Sequence, residues 1–336
     1  MSGQALIEVE GLTVLANLRA PGADTRRRIV DDLSFTLERG EILGLVGESG
    51  SGKTVACRAL MRLLPDTLAI KARSIRFDGT EVTALSERDF AKLRGRGIGM
   101  IFQNPSSHLD PVMRIGAQIA ETVRLSKGTS RREAAREAVE LLAQVGIPDP
   151  ERRSEAYLHE FSGGMRQRAM IAVALASDPK LLVADEPTTA LDVTVQAQIL
   201  RLLKDLRDRR GLSIIFVTHD LGVVSQLCDR IAVLYAGRLC ESGPKRDVLL
   251  APRHPYAAGL IACQPAGSAG LRRLRTIEGQ PPSPDAMPSG CRFHPRCQNA
   301  GEDCRSVQPP LASFGPAHIA ACFHPMRLSG SAQVRP

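Results

Sequence analysis

The chain has 336 residues, 43% of them hydrophobic and 24% charged, ordinary values for a globular protein with room for one large or two modest domains. No apolar run approaches the ~18 residues of a bilayer span, and the N-terminal MSGQALIEVEGL lacks the basic-then-apolar order of a signal peptide. A cytosolic location is therefore expected, and any membrane role must come through partners. The net charge of +8 points only weakly to nucleic acid, because a solvated basic face accounts for it as well.

Residues 6–15 (LIEVEGLTVL) and 33–38 (LSFTLE) alternate as strands do, with a Pro/Gly/Arg-rich loop at 18–28 between them. Glu41–Val46 is a buried strand that runs into Gly47-Glu48-Ser49-Gly50-Ser51-Gly52-Lys53-Thr54, and Val55–Leu64 reads as an apolar helix. This is G-x4-G-K-[ST] in the strand–loop–helix context that the motif requires. Its glycines let successive backbone N–H groups curl around phosphates. Lys53 brings a point charge to the β- and γ-phosphates, and the Thr54 hydroxyl suits Mg2+.

Residues 98–102 (IGMIF) form a second buried strand, ending at Gln103, which either caps a turn or reaches a metal or water beside a nucleotide. Helical periodicity covers 114–125 and 130–146, with Gly146 as C-cap, so 104–160 reads as a mainly helical insert. In 161–192 a small-residue turn, Ser162-Gly163-Gly164, opens a helix. The apolar run Leu181–Ala184 then ends in Asp185-Glu186, which can hold a metal beside a general base. An amphipathic helix follows at 193–208, then a strand at Leu212–Val217 ending in Thr218-His219-Asp220, then a hairpin over 229–242 turned at Ala236-Gly237. In a parallel sheet the tips at Gly47, Gln103, Asp185 and His219 share one edge. Alternating strands and helices give an α/β domain.

The composition shifts near residue 251. From Pro252 onward lie nine Arg, no Lys and four acids, together with 13 of the 22 prolines. Cys57, Cys228, Cys240 and Cys263 sit among apolar neighbours as small core residues. Cys291, Cys297, Cys304 and Cys322 cluster, and clustered thiolates in a cytosolic chain favour metal over disulfides. The spacing lacks the C-x2-C knuckles of a structural zinc site, and four Cys in a Pro/Gly-rich loop suit a [4Fe–4S] cluster; zinc, with His294, His318 or His324 replacing a thiolate, and no metal remain the alternatives.

Together these motifs resemble the nucleotide-binding subunit of an ABC (ATP-binding cassette) transporter over residues ~5–250. In that family's order they are the Walker A loop (47–54), Q-loop (Gln103), signature (161–165), Walker B (181–186), D-loop (Ala190-Leu191-Asp192) and H-loop (His219). The resemblance implies a P-loop NTPase fold: a RecA-like core with an antiparallel β subdomain and a helical subdomain at about 104–160, all within 1–251. It implies that Gly47, Ser49, Gly50, Ser51, Gly52, Lys53 and Thr54 bind ATP, and that Thr54, Gln103 and Asp185 serve Mg2+. Glu186 is the general base, Gln103 and His219 contact the γ-phosphate region, and Ser162, Gly163 and Gly164 bind the nucleotide of a partner subunit. Activity would then depend on pairing.

Two departures stand out. The adenine-stacking aromatic expected near Ala16 is missing, with only Phe35 in reach or an Arg of the 19–28 loop, and the signature ends in Met165 where Gln is usual. The stretches HPYAAGLIAC (254–263), EGQPP (278–282) and SGCRFHPRC (289–297) resemble the small, irregular Cys-rich extension (252–336) of dipeptide, oligopeptide and nickel importer ATPases. The resemblance favours the iron–sulfur cluster over zinc. It implies a paralogous second ATPase, two membrane permease subunits and an extracytoplasmic solute-binding protein, a place on the cytoplasmic face of the membrane, and no specific nucleic acid. A nucleic-acid-directed ABC ATPase with a zinc module is the alternative.

Overall fold

The computed structural model describes residues 5–16, 27–264 and 276–326. The chain opens with strands β1 (Ala5–Ala16), β2 (Arg27–Glu38) and β3 (Ile42–Val46), helix α1 (Lys53–Leu60), strands β4 (Leu68–Lys71), β5 (Ser74–Phe77) and β6 (Thr80–Glu81), helix α2 (Glu87–Arg94) and strand β7 (Ile98–Ile101). Helices α3 (Ile115–Lys127), α4 (Arg131–Gln144), α5 (Pro150–Ser154) and α6 (Gly163–Leu175) follow, then β8 (Leu181–Asp185), α7 (Val193–Arg210), β9 (Ser213–Thr218), α8 (Leu221–Leu227), β10 (Arg230–Tyr235) and β11 (Arg238–Pro244). Last come α9 (Lys245–Leu250), α10 (Pro255–Ala262), α11 (Asp303–Ser306), β12 (Ala312–Gly315) and β13 (His318–Ala320). The loop expected at 18–28 lies outside the described residues except for Arg27 and Arg28, which belong to β2.

Packing divides the chain into two compact units. The first comprises Met1–Glu8, Thr36–Ile42 and Ile75–Val217. Strands β7, β8 and β9 run parallel there, with Ile98 opposite Leu181 and Leu181 opposite Ser213. All three are buried along their length, which is why they read as unbroken apolar runs rather than alternations. The insert is helical as expected. A capping box between Ser130 and Glu133 starts α4, and Gly146 (φ +75°) follows its C-cap, Val145.

The second unit comprises Val9–Phe35, Leu43–Ser74 and Thr218–Pro336. Here β10 pairs parallel with β3 and antiparallel with β11. Ala236 (φ +46°) and Gly237 (φ +83°) close the β10–β11 hairpin with two left-handed residues, the geometry that matches strand twist. Much of the C-terminal extension is irregular, but β13 pairs with β11, and β12 with β13, so the extension adds two short strands to the sheet that carries β3.

One buried carboxylate anchors that extension. Glu241 on β11 is 0% exposed; its oxygens accept the N–H groups of Arg253 (3.0 Å) and His254 (2.7 Å) and face His318 Nε2 at 2.8 Å. Burial pushes Glu241 up, and the hydrogen bonds from His254, His318 and Arg253 oppose it. His254 is buried as a neutral ring whose Nδ1 accepts the Tyr256 N–H (3.0 Å) at the start of α10; burial lowers its pKa to about 4. A depressed imidazole contributes stability that is complete above its free value near 6.5 and lost as pH falls toward about 4. Between those pH values the wild type is expected to lose up to about 3 kcal/mol relative to His254→Asn, which keeps the cap without the proton. Thermal melts of both across that range, with parallel curves as the contrary outcome, check this.

Candidate active site

The glycine-rich loop leaves β3 through a passage only glycine can take. Gly47 has φ +154°, and a Cβ there would stand 2.2 Å from the Leu234 carbonyl oxygen. Gly52 (φ +95°) then opens α1, whose positive end follows the loop directly. Lys53 is 4% exposed, and its Nζ donates to the carbonyls of Gly47 (2.8 Å) and Glu48 (2.9 Å) and to Ser51 Oγ (3.2 Å). Ser49 and Gly50 are exposed at the crest, Ser51 is buried and Thr54 half-buried.

Neighbours in the same unit brace this loop from behind. Gly237 N–H donates to the Ser51 carbonyl (2.9 Å). Glu48 N–H donates to the Tyr256 hydroxyl (2.8 Å), and the Glu48 carboxylate takes two bonds from Arg296 (2.6 and 3.0 Å). Beside the hairpin, Asp31 (2% exposed) meets Arg28 and Arg238 (2.8 Å each) and Arg292. Burial alone would raise its pKa; the three guanidiniums outweigh that and hold it below the usual carboxylate range.

The first unit carries the carboxylates. Asp185 ends β8 with 0% exposure. Glu186 follows in the left-handed region at φ +47°, a backbone state worth about 1–3 kcal/mol of strain in a non-glycine residue. Its N–H donates to the Val217 carbonyl (3.1 Å), and its Oε2 accepts from Gln103 Nε2 (3.2 Å) and Thr189 Oγ1 (2.9 Å). Gln103 and Glu186, 83 positions apart, are thus brought together. Ser162 caps α6 through the Met165 N–H (3.4 Å), and Asp192 caps α7 through the Val195 N–H (2.9 Å). The two signature glycines differ. A Cβ at Gly164 would strike Val195 at 2.8 Å, whereas one at exposed Gly163 would find nothing nearer than 4.0 Å. In the second unit, His219 follows β9, ahead of Asp220, which caps α8.

Cys57, Cys228 and Cys240 are buried, as core cysteines should be, while Cys263 is half-buried. The four tail thiols are free, and in each pair of them the charge of one raises the pKa of the other. Burial is the larger cause in all four and pushes Cys322 up to about 12. Backbone N–H groups oppose it: Phe293 and His294 at Cys291, Asn299 at Cys297, Gly301 at Cys304 and His324 at Cys322. Among the described residues, the one set of three metal-type ligand atoms within 4.8 Å is Asp303, Cys304 and His324. Cys240, read from sequence as a core residue, lies within electrostatic reach of Cys291 and Cys322.

The ABC transporter family profile matches residues 30–189, and that of the oligopeptide/dipeptide transporter C-terminal region matches 240–304. The oligopeptide transport ATP-binding protein OppD of Salmonella typhimurium is 49% identical over 96% of this chain and 94% of its own length. The chain belongs to the ABC transporter ATP-binding family. A putative peptide import ATP-binding protein of Brucella abortus is 47% identical, over 96% of this chain and 98% of its own. The dimeric ATP-binding cassette MJ0796 bound to ADP and Pi superposes with a TM-score of 0.62 at 25% identity, covering 71% of this chain and 99% of that one. The cbiO1 protein of Clostridium perfringens, part of the transporter complex cbiONQ, gives 0.62 at 26% over 74% and 91%.

This ABC ATPase has no described helix long and apolar enough to cross a membrane. Phe35 is 8% exposed, which removes it as an adenine platform. Of the loop arginines within the described residues, Arg27 pairs with Asp285 and Arg28 with Asp31. Sequence reasoning did not single out Thr189, Tyr256 or Arg296. Thr189 carries no local signal; Tyr256 and Arg296 lie in the HPYAAGLIAC and HPRC stretches, whose pattern marks the tail and says nothing of the loop they touch. Gly237 joins the hairpin to the nucleotide loop, and a Cβ there would meet the Ile29 carbonyl oxygen at 2.2 Å. Gly237→Ala is expected to destabilise by about 1–3 kcal/mol and to weaken nucleotide binding, read by thermal melts and by titration with a fluorescent ATP analogue.

Proposed function

We propose that this ABC ATPase powers the import of peptides, or of related solutes such as nickel chelates, from the cytoplasmic face of the membrane. It would pair with a second, paralogous ATPase, dock on two permease subunits and draw on an extracytoplasmic solute-binding protein. The similarity to peptide-transport ATPases over nearly the whole chain, tail included, supports this reading. The transport names of those relatives do not favour the nucleic-acid alternative.

The observation that carries the chemistry is Glu186, strained and hydrogen-bonded by Gln103 and Thr189. The loop N–H groups of residues 49–54 and Lys53 hold the triphosphate. By the family resemblance, Thr54, Gln103 and Asp185 would each offer an oxygen to Mg2+, which would neutralise phosphate charge when bound. Glu186 takes a proton from the attacking water as its oxygen bonds to the γ-phosphorus and the bond to the β-phosphate oxygen breaks. His219 steadies the γ-phosphate. Ser162, Gly163 and Gly164 serve the nucleotide of the paired subunit. The glycine at 163 supports this: neither an unusual φ nor a neighbour in its own chain demands it, so the space is open to an outside group. Asp192 would join the D-loop contact.

The reading extends to the tail, whose four cysteines would hold a [4Fe–4S] cluster. Charge on one raises the pKa of another in each pairing, and all four accept backbone N–H groups, which supports this reading. No three of them approach within 4.8 Å, whereas tetrahedral zinc would draw them to about 3.8 Å apart. Such a cluster would act as a cross-link for a tail too short to build its own core. Anaerobically purified chain is expected to be coloured, with about four irons; a colourless chain with stoichiometric zinc would overturn this. Glu186→Gln in the assembled complex is expected to lower phosphate release by about 10²–10⁴-fold with ATP binding retained. An unchanged rate would remove Glu186 as the base.

A further inference from the structure

The short turn His294–Arg296 sits between two of the tail cysteines. His294 N–H donates to the Cys291 carbonyl (3.0 Å), Cys297 N–H to the His294 carbonyl (3.2 Å), and Cys291 N–H to the Cys304 carbonyl (2.9 Å). Whatever fixes Cys291, Cys297 and Cys304 therefore fixes the backbone from which Arg296 projects. The Arg296 side chain is only 5% exposed. Its Nε donates to the Glu278 carbonyl (2.9 Å). Its Nη1 donates to Glu48 Oε2 (2.6 Å) and the Tyr235 hydroxyl (3.3 Å), and its Nη2 to Glu48 Oε1 (3.0 Å) and the Ile277 carbonyl (3.3 Å). The guanidinium carbon also lies 5.7 Å from the Tyr235 ring centre and 5.9 Å from that of Phe293.

Glu48 is the second residue of the nucleotide loop, and its carbonyl accepts from both Lys53 Nζ (2.9 Å) and Ser51 N–H (3.2 Å). The bidentate pair thus reaches the loop one peptide away from the phosphate-facing amine. Two planar groups joined by parallel charge-assisted bonds fix orientation as well as distance, which lysine could not reproduce. Tyr256 takes the Glu48 N–H from the other side, so the tail holds this residue by both backbone and side chain.

We propose that Arg296 is a positioning residue for the nucleotide loop, coupling the state of the four-cysteine tail to Glu48 and hence to the affinity for ATP. This rests on the nucleotide reading of the loop.

The test is a double-mutant cycle on the full-length chain, reading the Kd for a fluorescent ATP analogue with Mg2+, the melting temperature and the iron content. Arg296→Ala is expected to weaken nucleotide binding on the order of tenfold while keeping its metal, and Arg296→Lys to recover only part of the loss. Glu48→Gln should weaken binding similarly, and the Arg296→Ala, Glu48→Gln double variant should be no worse than either alone. Cys297→Ser should also weaken binding, and should add nothing on the Arg296→Ala background. If Arg296→Ala fails to fold, Glu48→Gln carries the same comparison with Cys297→Ser from the loop side. Wild-type affinity in metal-loaded Arg296→Ala or in Glu48→Gln, or losses that multiply with Cys297→Ser, would overturn the coupling and leave the cluster reading standing. Iron-free wild type with coupled losses would overturn the cluster and support the clamp.

Discussion

Backbone N–H groups bind a triphosphate well only if the loop that carries them is bent before the anion arrives, because ordering it at the moment of binding would consume the gain. In this chain the bend begins at Gly47, where the Leu234 carbonyl leaves no room for a side chain. It is held by the hairpin turn at Gly237, by Tyr256 and by Arg296. Lys53, folded onto three oxygens of the loop, adds an internal strut. Loop, hairpin and tail belong to one packed unit, and the tail's two strands continue the sheet of the strand that delivers the loop.

Strain and small residues mark the other unit in the same way. Glu186 occupies a backbone state that a carboxylate side chain does not favour, and the parallel neighbours β8 and β9 hold it there through the Val217 carbonyl. Gly164 lets α6 lie against Val195. Fixing a side chain at a rigid strand tip in this manner trades stability for aim.

The amino-acid pattern made the order of motifs and the α/β class readable, because a glycine-rich turn and a carboxylate-tipped apolar strand carry their chemistry locally. Boundaries were less readable. The helix after the loop, expected at Val55–Leu64, spans Lys53–Leu60, since Lys53 and Thr54 are themselves helical and Arg62 turns left-handed (φ +50°). The Arg296–Glu48 pair spans 248 positions and leaves no periodic trace. Cys240 looks like any buried small residue until the strand pairing of β11 with β13 brings it near Cys322. Local chemistry is written in runs of neighbours; contacts made by packing are written only in the fold.

The half-buried carboxylate of Glu48 and the guanidinium of Arg296 have a consequence for descent and for engineering. Such a pair broken on one side leaves an unmatched, partly desolvated charge, which costs stability. A graft that exchanges residues 252–336 for a tail without arginine at 296 would leave such a charge beside the ATP loop. The loop's second residue and the tail are therefore heritable as a pair, and recombination between them carries a penalty that recombination within either does not.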